Sequence, residues 1–110
     1  MSEFSGYRFM WTVVMFDLPV VTKPQRRRAT KFRNELLNLG FEMAQFSVYM
    51  KFSGSRSAVD ALAYRIRSRI PPEGNVSILA LTDKQYGQMQ VFNGGARQER
   101  DTSRGQLLLF

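Results

Sequence analysis

Residues 11–19 have the sequence Trp-Thr-Val-Val-Met-Phe-Asp-Leu-Pro, an apolar run rich in β-branched side chains that ends on one acid. A run of this length and composition predicts a buried β-strand. Pro19 cannot donate a hydrogen bond to a neighbouring strand, so the strand should end near Asp17. The carboxylate of Asp17 is therefore expected at the carboxyl end of a strand, where α/β sheets tend to place their ligands.

A basic amphipathic helix is predicted directly after this strand. Thr22 is suited to cap the helix, and Pro24 is tolerated in its first turn. Apolar residues recur at spacings of three and four, and Gly40 fits the left-handed position beyond the last turn. The apolar positions are Ala29, Phe32, Leu36 and Leu39. The candidate phosphate-binding residues of the helix are Arg26, Arg27, Arg28 and Lys31.

Composition limits the class of protein. A chain of 110 residues with 44% hydrophobic residues predicts one folded domain, and a net charge of +7 favours a polyanionic partner. The chain has no His and no Cys, which excludes disulfides, zinc sites of imidazole or thiolate, and Cys/His catalysis. Without a membrane-length apolar stretch or a leader-like start, a cytoplasmic protein with no membrane partner is expected.

The remaining elements predict an α+β domain. Residues 41–52 alternate as one strand, Ser57 to Asp60 has capping-box spacing before a second helix, and strands are expected at 75–82 and 88–92. This order, βαβαββ, predicts a ferredoxin-like sandwich with both helices on one face of an antiparallel sheet. The order βαββαβ remains open if a bend splits residues 41–52.

The pattern of apolar residues also predicts how the chain assembles and where its C-terminal residues bind. Apolar side chains fall on both faces of the strands, so a face-to-face homodimer is expected. We expect a ferredoxin-like domain at residues 1–92, a polar linker at 93–105 and an extra C-terminal strand or anchor at 106–110. The apolar docking residues are Leu107, Leu108, Leu109 and Phe110. They would dock on another subunit or pack back on their own sheet.

Two interpretations of Asp17 remain open. An acid beside Leu-Pro at the end of a strand often accepts backbone hydrogen bonds in a turn. Alternatively, it is a catalytic residue and a ligand of Mg²⁺, or of Mn²⁺, because hard cations select carboxylate oxygens and water. One carboxylate is too little for a tight site, but a two-fold dimer would bring two copies of Asp17 together.

The basic residues also have two interpretations, a phosphate-binding surface or an ordinary solvated helix face. Tyr49 and Tyr64 are candidates for stacking on bases, but the aromatic signature of RNA-recognition motifs is missing. Recognition of the nucleic-acid backbone is therefore favoured over recognition of bases.

Three features together resemble the CRISPR-associated protein two family, the small subunit of the spacer-acquisition machinery. They are the strand ending in Phe-Asp-Leu-Pro at 16–19, the basic helix ending Leu-Gly-Phe at 39–41, and Gln-Phe-Ser-Val-Tyr at 45–49. The last element, about thirty residues after Asp17, is the specific part. The resemblance covers residues 11–92. Phe16 departs from the pattern, since many members have Tyr before the acid.

The resemblance implies a ferredoxin-like homodimer and a divalent-metal-dependent endonuclease with Asp17 as metal ligand. It also implies a role in CRISPR adaptation, in which the dimer binds double-stranded DNA and bridges the CRISPR integrase. Single-stranded RNA is the other nucleic acid considered. The alternatives are a purely non-catalytic DNA-binding scaffold and a related ribonuclease toxin of the virulence-associated protein D type.

Overall fold

The computed structural model describes residues 9–94, which form one antiparallel sheet and three helices. In chain order the elements are β1 (Met10–Asp17), α1 (Lys23–Asn38), β2 (Glu42–Gln45), β3 (Val48–Phe52), α2 (Arg56–Arg67), β4 (Asn75–Thr82) and α3 (Asp83–Gly87). The strands lie in the order β2-β3-β1-β4, with every neighbouring pair antiparallel. The predicted α+β ferredoxin-like class is confirmed.

The predicted element order βαβαββ is wrong, and the alternative order βαββαβ is the one observed. Residues 41–52 form a hairpin in which Gln45 pairs with Val48 and the turn is Phe46–Ser47. Ser47 has a φ of 66°, an uncommon value for a residue other than glycine. Phe-Ser has none of the Gly, Asn or Asp that mark two-residue turns, so no local signal indicated a reversal of the chain.

The predicted strand at residues 88–92 is also wrong. Thr82 ends β4 and caps α3, where its Oγ1 accepts a hydrogen bond from Gln85 N at 3.0 Å. The side chain of Gln85 accepts one in return from Thr82 N at 2.9 Å. This capping box turns the chain out of the sheet, and residues 88–92 form neither helix nor strand.

The helix ends show which local signals were reliable. Thr22 caps α1 in a capping box with Gln25, Pro24 lies in the first turn, and Gly40 has a φ of 98°. These predictions are confirmed. The cap predicted at Ser57 is wrong, because Ser55 caps α2 and accepts a hydrogen bond from Ala58 N at 3.1 Å.

The core lies between one face of the sheet and the two long helices. Its buried residues come from every layer: Val14, Phe32, Leu36, Phe41, Tyr49, Leu62 and Ile66. Tyr49 is 1% exposed, so the proposal that it stacks on bases is wrong. Ile70 lies beyond the end of α2 and is 36% exposed.

The opposite side of the sheet, which we call the open face, is not covered by α1 or α2. Its apolar residues are Trp11, Val13, Met15, Val48, Met50, Phe52, Leu79 and Leu81. The ring of Trp11 stacks on the ring of Tyr86 in α3, with the two ring centres 3.9 Å apart. Its Nε1 donates a hydrogen bond to Asp83 Oδ1 at 2.8 Å. Helix α3 thus covers one end of the open face, whereas Leu79 remains 47% exposed. The predicted second apolar face is confirmed; the dimer stays a prediction.

Candidate functional site

Asp17 is the last residue of β1, as predicted, and its side chain is exposed. Side chains alternate along a strand, so Asp17 lies on the same face as Val13 and Met15, which is the open face. Its partner across the ladder is Asn75, the first residue of β4. The sheet therefore presents a carboxylate and an amide side by side at one end of its apolar surface.

The backbone before Asp17 is fixed from the hairpin side. Phe16 N donates to Ser47 O at 3.0 Å, which joins the end of β1 to the β2–β3 turn. The ring of Phe16 lies 5.2 Å from that of Phe32 and 5.7 Å from that of Tyr49. Because Phe16 is held by both its backbone and its ring, the position of the next residue is well determined.

The loop before β4 fixes the other side of Asp17. Gly74 has a φ of 98°, and a Cβ added there would lie 2.7 Å from the carbonyl oxygen of Asp17. Glu73 ties the same loop to α1, since its Oε1 accepts from Gln25 Nε2 at 3.0 Å and lies 3.6 Å from an Arg28 nitrogen. A residue larger than glycine at position 74 would push Asp17 or its own loop aside.

The chemistry of the donors limits the metal that this site could hold. Within residues 9–94 there is no group of three or more His, Cys, Asp or Glu side chains placed to bind an ion. An exposed carboxylate beside an amide suits Mg²⁺, which keeps several of its waters and is commonly bound by one or two carboxylates together with substrate phosphates. The donor set fits a hard cation shared with a nucleic acid, and not a closed structural metal site.

The four basic residues predicted on α1 divide into two groups. Arg26 donates to the carbonyl oxygens of Val20 and Val21 at 3.3 and 2.9 Å, and Arg28 is next to Glu73. These two side chains hold the loop after β1 and the loop before β4. Their role near Asp17 is therefore partly structural.

Arg27 and Lys31 differ from that pair. Both are exposed, and neither forms a hydrogen bond or ion pair with any residue in the part of the chain that the structure describes. They lie one turn apart on the outer face of α1, which also carries Lys23, Thr30, Asn34 and the acid Glu35. Two cations on this outer face are thus available for phosphate.

Several other predicted residues can now be placed. Tyr64 on α2 is 73% exposed, so it remains accessible. Leu107, Leu108, Leu109 and Phe110 lie outside the described residues, as does most of the predicted linker. No helix among the described residues is long and apolar enough to cross a membrane.

Sequence reasoning missed Glu73, Gly74 and Asn75 as part of the site. No local pattern in the sequence indicated that Gly74 lies against Asp17. That contact depends on the pairing of β1 with β4, which are far apart in the chain. A correct prediction that β1 pairs with β4 would have placed Asn75 opposite Asp17.

Comparisons with known proteins identify the family of this chain. Residues 10–89 match the family model described as CRISPR associated protein Cas2. A protein of Paracidovorax avenae named CRISPR-associated endoribonuclease Cas2 is 49% identical over 106 residues, covering 96% of this chain and 98% of its own. One of the same name from Flavobacterium psychrophilum is 42% identical, with coverage of 99% and 95%. A solved structure described as the crystal structure of Cas2 has a TM-score of 0.56 and covers 79% of this chain and 87% of its own, at 20% identity, which supports the fold.

Proposed function

Because this chain belongs to the Cas2 family of CRISPR-associated proteins, we propose that it is a divalent-metal-dependent endonuclease with Asp17 at its reaction centre. The observation that carries the proposal is the exposed carboxylate of Asp17 at the end of β1, fixed on both sides by packed backbone. The relatives named endoribonuclease make RNA the first substrate to test.

The residues around Asp17 have separable roles in this proposal. A bound Mg²⁺ or Mn²⁺ would supply a more acidic water and stabilise the charge that develops on the phosphate. Asp17 would hold the ion, while the contacts of Phe16 and Gly74 keep the carboxylate in place. Arg27 and Lys31 would bind phosphates at a separate surface, the outer face of α1, because their charges are unpaired among residues 9–94.

A homodimer would complete the site. The open face is apolar, and a chain of this size does not usually leave such a surface in water. A two-fold axis through this face would bring the two copies of Asp17 to the same interface, so that two carboxylates share the substrate. Helix α3 covers the Trp11 end of the face, which leaves the end nearer Asp17 for the second copy.

The test is removal and return of the metal. With single-stranded RNA as substrate, excess chelator should abolish cleavage, and Mg²⁺ or Mn²⁺ should restore it, because the chain has no His or Cys as an alternative catalyst. Duplex DNA is assayed in parallel to establish which nucleic acid is cut. Full cleavage in chelator would contradict the proposal.

A second candidate function is a non-catalytic one in CRISPR adaptation, in which the dimer binds double-stranded DNA and bridges the CRISPR integrase. The outer face of α1 favours it, because Arg27 and Lys31 are exposed next to Lys23 and their side chains pair with no other residue among residues 9–94. Such a surface would grip phosphates of any sequence. The two functions are compatible, since α1 and the Asp17 end of the open face are different surfaces.

For this surface we expect the double variant Arg27→Ala/Lys31→Ala to bind duplex DNA more weakly at all sequences. The slope of log affinity against log salt should become shallower by about one for each side-chain cation that no longer neutralises a phosphate. A matched control is Thr30→Ala/Asn34→Ala, which alters the same face of α1 without changing its charge. Binding that does not depend on salt, or that depends strongly on sequence, would contradict the assignment.

A further inference from the structure

We propose that Asn75 is a second metal-binding residue, whose side-chain amide oxygen binds the same divalent cation as Asp17. This inference rests on the proposed function and adds to it a ligand from the same chain. Asp17 and Asn75 form the last pair of the β1–β4 ladder. Residues directly opposite in antiparallel strands have Cβ atoms about 4.5–5.5 Å apart on one face of the sheet, near enough for two side-chain oxygens to share an ion.

The loop that precedes Asn75 holds it close to Asp17. At Gly74 a Cβ would lie 2.7 Å from Asp17 O and 2.8 Å from Leu18 Cδ2, so the two segments are in contact at this point. Glu73 is held in turn by Gln25 and Arg28 of α1. Asn75 thus begins β4 from a loop that is anchored to both neighbouring elements.

The chemistry of an amide suits this position. Side-chain amide oxygens are hard donors, and hard divalent cations in proteins bind oxygen ligands of this kind. Asn75 adds such a donor without adding negative charge, so it would not repel an approaching phosphate as a second carboxylate would. Its side chain is exposed and forms no hydrogen bond to the residues from 9 to 94.

The experiment measures binding of Mn²⁺ alone to the full chain, with electron paramagnetic resonance of free Mn²⁺ as the readout. Asn75→Ala should raise the dissociation constant about tenfold, the lower end of the loss seen when groups that support a metal site are removed. Asn75→Asp should bind Mn²⁺ more tightly, because a carboxylate replaces the amide. Ser77→Ala is the control, since Ser77 lies on the same face but opposite Met15.

An unchanged dissociation constant in Asn75→Ala would overturn the inference, and so would a wild-type chain that binds no Mn²⁺. If Asn75→Ala fails to fold, Asn75→Asp decides: tighter binding supports the inference and unchanged binding overturns it. The proposed endonuclease function is tested separately, by the cleavage assay of Asp17→Ala. Cleavage that survives in Asp17→Ala contradicts Asp17 as the reaction centre. Cleavage lost in Asp17→Ala, together with normal Mn²⁺ binding by Asn75→Ala, contradicts only the role of Asn75.

Discussion

Replacing Asp17 with alanine is expected to lower the rate of RNA cleavage by about 10³-fold, the loss typical of removing one group that stabilises charge in a transition state. The side chain of Asp17 is exposed and lies outside the buried core, so the variant should keep the stability of the wild type. Single-turnover cleavage at saturating Mg²⁺ measures the effect on the chemical step.

Asp60→Ala is the matched control for this variant. Asp60 is also an exposed acid, but it lies in α2, on the face of the sheet opposite the Asp17 side chain. Its loss should leave the cleavage rate unchanged. Wild-type cleavage by Asp17→Ala would contradict the assignment of the reaction centre to Asp17.

Replacing Leu79 with arginine is expected to dissociate the proposed dimer. Leu79 lies on the open face and is 47% exposed in the single chain, so an arginine there can remain in water as long as the chain is alone. In a face-to-face dimer each copy would bury an unpaired charge at a cost of about 3 kcal/mol, so the two charges together would weaken association roughly 10⁴-fold. Light scattering over a dilution series measures the change.

Leu37→Arg serves as the control, because Leu37 on α1 is 45% exposed but lies away from the open face. It should leave the association unchanged. A wild-type chain that is monomeric at micromolar concentration would contradict the proposed dimer. Equal association by Leu79→Arg and the wild type would show that a different surface forms it.

Local signals in the sequence predicted the parts of the fold that depend on neighbouring residues. The apolar run ending at Asp17 predicted β1, and Thr22, Pro24 and Gly40 predicted the limits of α1, because capping and left-handed glycine are properties of a few consecutive residues. The alternation of residues 41–52 was misleading for the same reason. It predicted extended backbone on both sides of the turn, but it contained no sign of the turn at Ser47 or of the register shift between Met43 and Gln45.

The candidate site was predictable only in part, because it is assembled from distant segments. Asp17 was identified from its place at the end of a strand, and that place is confirmed. Asn75 could not be identified, since its relation to Asp17 is a matter of strand register between β1 and β4. Arg26 and Arg28 were grouped with Arg27 by charge alone, and only three-dimensional contacts separate their roles.

The packing of Trp11 has a spectroscopic consequence. Trp11 is the only tryptophan in the chain, so all indole fluorescence comes from the open face. Its ring stacks on that of Tyr86, and its Nε1 donates a hydrogen bond to Asp83; both partners belong to α3. Emission from this protein therefore reports how α3 lies against the sheet, and it provides an intrinsic optical probe for events on the surface where a second copy is proposed to bind.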